Sequence, residues 1–373
     1  MFRNGKLIAL VLYGIINLLY IAKYGARVMP TGWWMGTYII YIMLISALYH
    51  YREDIFKHLN RKTGLVLTAL GIAALAALQV QIDPMSLQVD RWSAIHNFLE
   101  HLLHGEYPYA AQTHLGGYGS PFPVWQLLHL PFYLAGNVGL SFIACLLLFM
   151  DAMRRLSGWQ TSVIALALLF LSPAYIYEVC VRSDLASNFL LSAAIIMYLH
   201  QYHVTFSRNW LLLAILSGLM MSTRLSAVIP MAIYYCMDFC RGNIKQQAGF
   251  MAITACTFVL TFLPFALWDG NMLLFHEYNP FILQTRQGNL TDLPLLLAAG
   301  LGASVWWKGC WHRYLLSVAG CLLILVGVTF IHNMCTDGSW NQLFGSQYDI
   351  TYFNMALPFV VALLATGEED VMH

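Results

Sequence analysis

Asp90 is the residue of this chain whose type and position best suit chemistry. It lies in a polar stretch, VDRWSAIHNFLEHLLHGEYPYAAQTHLGGYGSPFP (89–123), between a long apolar run and an amphipathic pattern. A carboxylate at such a junction is partly desolvated, so it is a candidate proton acceptor. The ordinary alternative is a helix N-cap, because aspartate is a favoured cap and suits the positive end of the helix dipole. The two roles are compatible, since a capping aspartate has a fixed position.

The histidines of the same stretch raise the question of a metal site. His101 and His104 are three residues apart on one predicted helical face, next to Glu100. His96 and His101, however, lie about 140° apart on a helix that turns ~100° per residue. Because one face cannot hold all three histidines, we expect a polar helical face here and no metal site. We also expect no cofactor.

The composition is typical of a polytopic membrane protein. The chain has 373 residues, of which 59% are hydrophobic and 10% charged, and its mean hydropathy is +0.63. A soluble domain carries about 25% charged residues. The net charge of +1 gives no reason to expect a nucleic-acid partner. The eight cysteines are scattered through apolar runs and predict no disulfide framework.

Apolar segments predict about twelve membrane spans, at roughly 20 residues for each crossing helix. The segments are 6–23, 32–50, 64–80, 137–152, 160–177, 185–202, 209–222, 225–239, 249–267, 291–307, 313–331 and 351–367. The seventh and eighth are short, and we expect a tight helical hairpin at residues 222–224. No polar stretch is long enough for a soluble domain. The fold class is therefore an all-α transmembrane bundle, one domain over 1–373, in which 1–60 forms two extra N-terminal spans.

The distribution of lysine and arginine predicts that both termini lie in the cytoplasm. With this orientation, most of the 19 basic residues fall in short inside loops, and most of the 18 acids lie outside. The predicted outside segments are long and rich in polar and aromatic residues: 81–136, 178–184, 222–224, 268–290 and 332–350. We therefore expect the protein to act on its external face.

The first large external loop, 81–136, contains two predicted interfacial helices. Apolar residues recur at helical spacing on one stripe of the first helix, at Trp92, Ile95, Phe98, Leu99, Leu102 and Leu103. Such a helix lies in the membrane interface with its apolar side towards lipid or protein. The second piece, Phe122 to Ala135, is interrupted by Pro123 and Pro131 and is too short for a span.

The order of these features resembles the GT-C glycosyltransferases, integral-membrane enzymes that use polyprenyl-phosphate sugars. The first external loop of that family has a similar order of features. In this chain, Asp90 at the external end of an apolar span is followed by an amphipathic helix, Gly-Glu-Tyr-Pro-Tyr (105–109) and Gly-Ser-Pro-Phe-Pro (119–123). The segment GLMMSTRLSAVIP (218–230) resembles the external arginine turn between two core helices of that family.

A second likeness is to a later external loop of the mannosyltransferase-like branch. In this chain it lies in Asp269-Gly270-Asn271, followed by Asn279-Pro280-Phe281. The likeness covers about residues 60–365. The chain departs from the family pattern in two ways: two spans precede the first loop where one is usual, and Asp90 is followed by Arg91, not by a second acid. The second departure argues against a metal-dependent variant.

The resemblance implies transfer of a sugar, mannose in that branch, from a polyprenyl-phosphate donor to a hydroxyl of a glycolipid, glycan or protein acceptor. We expect a bacterial plasma membrane with the site facing the periplasm, since the sequence shows no long tail or ER signal. Asp90 is then the general base. Asp83 and Glu106 are the alternatives, although Asp83 precedes a proline and suits a turn, and Glu106 suits a solvated turn.

Arginine suits the phosphate of the donor, because its planar fork offers paired, permanently charged donors. The candidate phosphate-binding residues are Arg224, Arg182, Arg286 and His332. Each has an ordinary alternative: snorkelling for Arg224, an ion pair with Asp184 for Arg182, solvation for Arg286 and an interfacial location for His332.

The sugar needs aromatic faces and polar groups, and those nearest to the base along the chain are Glu106, Tyr107 and Tyr109. Further aromatic candidates are Tyr118, Trp125, Trp268 and Tyr278. The alternative for all of them is that tryptophan and tyrosine are enriched at membrane interfaces regardless of function.

Other functions remain open on the sequence. A transporter or flippase would need polar residues at mid-depth in several spans, but segments 64–80, 160–171 and 313–331 have uncharged interiors. A surface-polysaccharide polymerase or ligase would share the external location, although such enzymes usually have one large late loop, and the largest external loop here is early. A non-catalytic scaffold would explain the loop residues poorly.

Overall fold

The chain folds into helices, in a computed structural model that describes residues 2–25, 30–56, 60–274, 277–286, 288–339 and 349–367. The α-helices are α1 (Phe2–Tyr24), α2 (Thr31–Phe56), α3 (Arg61–Gln81), α4 (Arg91–His104), α5 (Pro123–Leu128), α6 (Leu130–Leu134), α7 (Ser141–Phe170), α8 (Pro173–Cys180), α9 (Leu185–Gln201), α10 (Phe206–Met221), α11 (Ile229–Cys240), α12 (Ile244–Leu274), α13 (Pro280–Thr285), α14 (Leu293–Trp307), α15 (Trp311–Asp337) and α16 (Leu357–Ala365). Within the described ranges the only β pairing is an isolated bridge between Gln112 and Tyr118. The predicted all-α class is confirmed.

Several of these helices have the length and composition of membrane spans. Within the described ranges there are five: Gly5–Tyr24, Arg61–Gln81, Ile244–Leu274, Leu290–Trp307 and Trp311–Asp337. There would be a sixth if one bent pair of helices, Val138–Phe170 and Pro173–Cys180, were counted as a single span by length and composition. These two helices meet at 73°. Four further apolar helices are shorter. The chain is thus a helical membrane protein, while the count of twelve spans and the orientation remain predictions.

Helix α7 consists of two arms that fold back on each other at Gly158. This residue has φ 88°, a left-handed backbone angle that glycine adopts without steric cost. The Ser162 hydroxyl donates to the Met150 carbonyl oxygen over 2.8 Å. In a straight helix two residues twelve positions apart would be separated by about 18 Å. The sequence prediction of two apolar segments, 137–152 and 160–177, therefore corresponds to two separate arms.

Helix α16 lies at the centre of the molecule. All of its residues, Leu357–Ala365, are buried, and it packs against α1, α7, α9 and α15. A helix that is apolar all round is expected in such a position. The predicted segment 351–367 begins with a 3₁₀ helix, Ile350–Ala356, so only its second half is α-helical.

Glycine at position 218 lets α10 approach α12 closely. A Cβ atom added there would lie 2.7 Å from both the Thr254 carbonyl oxygen and the Thr257 Cβ atom, neither of which can rotate away. We expect Gly218→Ala to destabilise the fold by about 1–3 kcal/mol through overpacking, measured as thermal unfolding in detergent. The matched control is Gly320→Ala in α15, where an added Cβ meets nothing within 4 Å. Equal unfolding temperatures for the two variants would contradict this prediction.

Candidate functional site

The loop at residues 81–136 folds largely as the sequence pattern predicts. Helix α4 buries the stripe of Trp92, Ile95, Phe98 and Leu99, and it ends at Gly105, whose φ of 75° suits a left-handed cap. The second piece forms two short helices, α5 and α6, each with a proline in its first turn. Both pack against α4.

Asp90 occupies the backbone N-cap position of α4 but does not use its side chain as a cap. Its carbonyl oxygen accepts the first helical hydrogen bond, from the Ala94 amide at 2.9 Å, whereas its carboxylate makes no cap hydrogen bond. Instead, Oδ2 accepts from the Thr113 hydroxyl at 2.9 Å. Oδ1 has no hydrogen bond to any described residue, and the side chain is half-buried. One oxygen is thus held in place while the other is free to accept a proton.

A tight turn over residues 113–117 brings Thr113 to Asp90. The Thr113 amide donates to the Gly117 carbonyl oxygen at 2.8 Å, and the Gly117 amide donates to the Thr113 hydroxyl oxygen at 3.0 Å. Gly116 has φ 80°, in the left-handed region. A Cβ on Gly117 would lie 3.1 Å from the Asp90 Oδ2 atom. The sequence signal for this turn is Thr-His-Leu-Gly-Gly (113–117), which is not among the predicted site residues.

Arg224 forms a buried ion pair with Asp184. Its Nη2 atom lies 2.6 Å from Asp184 Oδ2, and the two side chains are only 5% and 2% exposed. Trp125 Nε1 donates to the same oxygen at 2.7 Å. Burial alone would raise the pKa of Asp184, but Arg224 and Arg91 outweigh it and hold this pKa below its usual value. Arg224 therefore does not snorkel to water.

The suggested ion pair between Arg182 and Asp184 is not present. Arg182 donates through Nη2 to the carbonyl oxygens of Gln79 and Ile82, at 2.8 and 3.2 Å, at the end of α3. Its φ of 54° is left-handed, and burial lowers the pKa of its guanidinium. Arg182 thus closes a helix end, away from its acidic sequence neighbour.

Asp184 is available to Arg224 because another residue caps α9. Asp184 stands at the N-cap position of α9 but makes no side-chain cap hydrogen bond. Glu178 Oε2 accepts from the Ala186 amide in the first turn, at 3.2 Å. This role of Glu178 was missed in the sequence analysis, because nothing local in the sequence pairs the two positions.

An apolar cavity of about 410 Å³ lies beside Arg224. Its walls come from the segment after α10, from the residues around α13 and the start of α14, from α15, and from Tyr352 and Met355. Arg224 and Arg286 are its two cationic lining residues, so the structure brings together two of the four predicted phosphate-binding residues. Arg286 is exposed and has no ion pair with any other residue that the structure describes.

The loop at residues 81–136 is attached to this cavity. The amides of Phe122 and Val124 donate to the carbonyl oxygens of Thr223 and Ser222, at 3.3 and 3.1 Å. Gln284, in the cavity wall, donates to the Ser120 carbonyl oxygen at 2.9 Å. The loop that carries Asp90 and the turn that carries Arg224 therefore lie on the same side of the molecule.

The remaining predicted residues lie apart from the cavity wall. His332 contacts Asp292, with 2.8 Å between Nδ1 and Oδ1, and it faces a separate groove along α15. Glu106 is exposed, 3.4 Å from His101 Nε2. Asp83 caps the turn at residues 84–86 through the Met85 amide, as its alternative role predicted.

Tyr107 and Tyr109 are both buried. Tyr107 packs edge-on to Trp268, with 5.9 Å between ring centroids, and Tyr109 packs between Phe98 and Phe265. Burial raises the pKa of both phenols, so they stay protonated at neutral pH. In this conformation Tyr109 supports the loop from inside, with no face open to a ligand.

The polar face of α4 shows ordinary contacts for its histidines. His104 Nδ1 lies 2.8 Å from the Glu100 carbonyl oxygen, and His96 packs 4.8 Å from the Tyr133 ring. In the part of the chain that the structure describes, no three His, Cys, Asp or Glu residues are grouped to hold a metal ion.

The resemblance to GT-C enzymes rests on short motifs and on their order along the chain. Models of known protein families, curated proteins and solved structures were each compared with the chain, and no match was found in any of the three comparisons.

Proposed function

We propose that this protein is a GT-C-type glycosyltransferase that moves a sugar from a polyprenyl-phosphate donor to an acceptor hydroxyl. The observation that carries the proposal is the apolar cavity with two arginines in its wall, attached to a loop that presents a carboxylate with one free oxygen. The proposal includes about twelve spans, cytoplasmic termini and a site that faces the periplasm of a bacterium. The sugar is mannose, by the branch that the motifs resemble.

The size of the cavity fits the first part of a polyprenyl chain. An apolar cavity of about 150 Å³ holds one benzene molecule, so ~410 Å³ corresponds to roughly two or three isoprene units. Six leucines line it: Leu225, Leu283, Leu290, Leu293, Leu296 and Leu325. Each buried methylene contributes about 0.8 kcal/mol. The remainder of a long chain would extend into the bilayer.

The two arginines suit the charge that develops during transfer. The bond between the sugar C1 atom and the phosphate oxygen breaks, and the phosphate gains negative charge as it leaves. Arg286 supplies a positive charge that no described residue neutralises, while Arg224 is held rigidly by Asp184. Fixed donors at a site of developing charge stabilise the transition state without reorganising.

Asp90 completes the reaction on the acceptor side. The acceptor oxygen forms the new bond to C1, and its proton passes to the free carboxylate oxygen of Asp90. Thr113 keeps the other oxygen in place. The proton then leaves to water, which the half-buried side chain can reach. The acceptor is a glycolipid, glycan or protein hydroxyl.

The test is release of lipid phosphate by the purified protein in detergent, with polyprenyl-phosphate mannose, glucose and galactose as donors and donor chains of different length. We expect donors with two or three isoprene units to match long donors within about tenfold in kcat/KM. A donor with a methyl group for a chain should lose more than about 100-fold, because the burial of many methylenes is lost.

Two outcomes would contradict the proposal. One is no release of lipid phosphate from any of these donors. The other is movement of the intact donor across vesicle membranes by the protein without turnover, which would favour the flippase alternative.

A further inference from the structure

Arg91, the neighbour of Asp90, is the only lysine or arginine in residues 81–136, and it is held by several partners. Its side chain is only 13% exposed. Its Nη2 atom donates to Asp349 Oδ2 at 2.5 Å and to the Thr351 hydroxyl at 2.6 Å. Its Nη1 atom donates to the Ser183 hydroxyl at 3.3 Å. Nothing local in the sequence predicts these contacts.

Arg91 contacts residues next to two parts of the site, the Asp184–Arg224 ion pair and the cavity wall. Ser183 immediately precedes Asp184, the residue that holds Arg224. On the other side, the Arg91 guanidinium lies 5.3 Å from the ring centroid of Tyr352, which lines the cavity. Arg91 is therefore a direct link from the backbone of Asp90 to the arginine turn and to the cavity wall.

Asp349 has two separate tasks in this link. Its Oδ1 atom accepts from the Thr351 amide at 2.9 Å and so caps the 3₁₀ helix Ile350–Ala356. Its Oδ2 atom accepts from Arg91. Tyr352 and Met355, both in that helix, line the cavity. The position of this wall is thus coupled to the first residue of α4.

We propose that Arg91 is a positioning residue that fixes Asp90 relative to the cavity. The inference rests on the proposed function for its effect on transfer. Both Nη atoms of Arg91 already donate to protein partners, and Arg91 does not line the cavity, so we assign it no contact with the donor phosphate. Lysine cannot replace it, because a single ammonium cannot span the partners that the planar fork reaches.

The experiment is steady-state kinetics of Arg91→Lys with the donor varied. A misplacement of the base by about 1 Å costs roughly 100-fold in rate, so kcat should fall ten- to 100-fold. The donor KM should stay within about threefold, because Arg224 and Arg286 are unchanged. If Arg91 only stabilised the fold, Arg91→Lys would lower the amount of active protein. At equal active-site concentration, its kcat and its donor KM would then both equal those of the wild type.

Arg154→Lys is the matched control. Arg154 also pairs with an aspartate at 2.5 Å, Asp151, and its guanidinium also lies 5.3 Å from an aromatic ring, that of Trp159. Arg154 lies outside the proposed site, so the Arg154→Lys variant should have the kcat of the wild type. The double variant Arg91→Gln/Asp349→Asn removes both members of this ion pair, so neither partner is left as an uncompensated charge, which protects the test against simple misfolding. Its kcat should also be low.

Hydrogen–deuterium exchange gives a readout that needs no activity. Exchange in both 84–94 and 350–356 should become faster in Arg91→Lys and should not change in Arg154→Lys. A wild-type kcat in Arg91→Lys and in the double variant would overturn the inference. If the wild type transfers no sugar, the proposed function fails, and unchanged exchange in Arg91→Lys would then also overturn the link itself.

Discussion

The Asp90→Asn variant is expected to lose transfer activity by about 10²–10⁴-fold in kcat, the usual contribution of a general base. Asparagine has nearly the same shape and can still accept the Thr113 hydrogen bond. It cannot take up the acceptor proton. The folded protein should therefore retain its thermal stability and its affinity for the donor. The measurement is kcat and KM for release of lipid phosphate, with donor binding followed separately.

Two control variants sharpen this result. Asp83→Asn changes a carboxylate that only caps a turn and should keep kcat within about twofold. Glu106→Gln changes the exposed alternative base and should have a similarly small effect. If Asp90→Asn keeps its activity while Glu106→Gln loses it, the base has been assigned to the wrong residue.

The Arg224→Gln variant is expected to lose both stability and donor affinity. Breaking a buried ion pair by removing one partner costs about 3–5 kcal/mol, because the other charge remains buried and uncompensated. Among the residues that the structure describes, the Asp184 carboxylate would keep only the hydrogen bond from Trp125. The phosphate would also lose a charged donor, worth about 1.5–3 kcal/mol or roughly tenfold or more in KM. Thermal unfolding in detergent and donor KM measure the two effects.

A double variant separates stability from binding. In Arg224→Gln/Asp184→Asn no buried charge is left unpaired, so most of the lost stability should return while the donor KM stays high. Arg286→Gln provides the opposite case: this arginine is exposed, so the donor KM should rise with little change in stability. A double variant that binds donor as tightly as the wild type would show that Arg224 is only a structural partner of Asp184.

The long apolar helices α1, α3, α12, α14 and α15 could be predicted from the sequence because each depends on a continuous apolar run. Helices α10 and α11 were also predictable from such runs, although the predicted segment 225–239 begins with a 3₁₀ helix, Leu225–Val228, so α11 starts only at Ile229. The enclosed position of α16 was not predictable. A segment that is apolar on all sides suits both a lipid and a protein environment, and composition does not distinguish them.

Asp90 and Arg224 could be chosen from the sequence because each is a charge at the end of an apolar run. Their partners could not be chosen so easily. Asp184 was assigned to Arg182, two residues away, but it pairs with Arg224, 40 residues along the chain. The link from Arg91 to Asp349 spans 258 residues. Contacts of this kind depend on the packing of separate helices, which local sequence rules do not describe.

Photo-crosslinking with a short polyprenyl-phosphate analogue that carries a diazirine on its second isoprene unit tests the central claim most directly. Peptide mapping should place the label in residues 283–296 or 325–330, and excess unlabelled donor should prevent the labelling. Arg286→Gln should reduce it at limiting probe concentration. Labelling confined to the outer surfaces of α2 or α12, or labelling that the donor does not compete away, would contradict a lipid-phosphate site in this cavity.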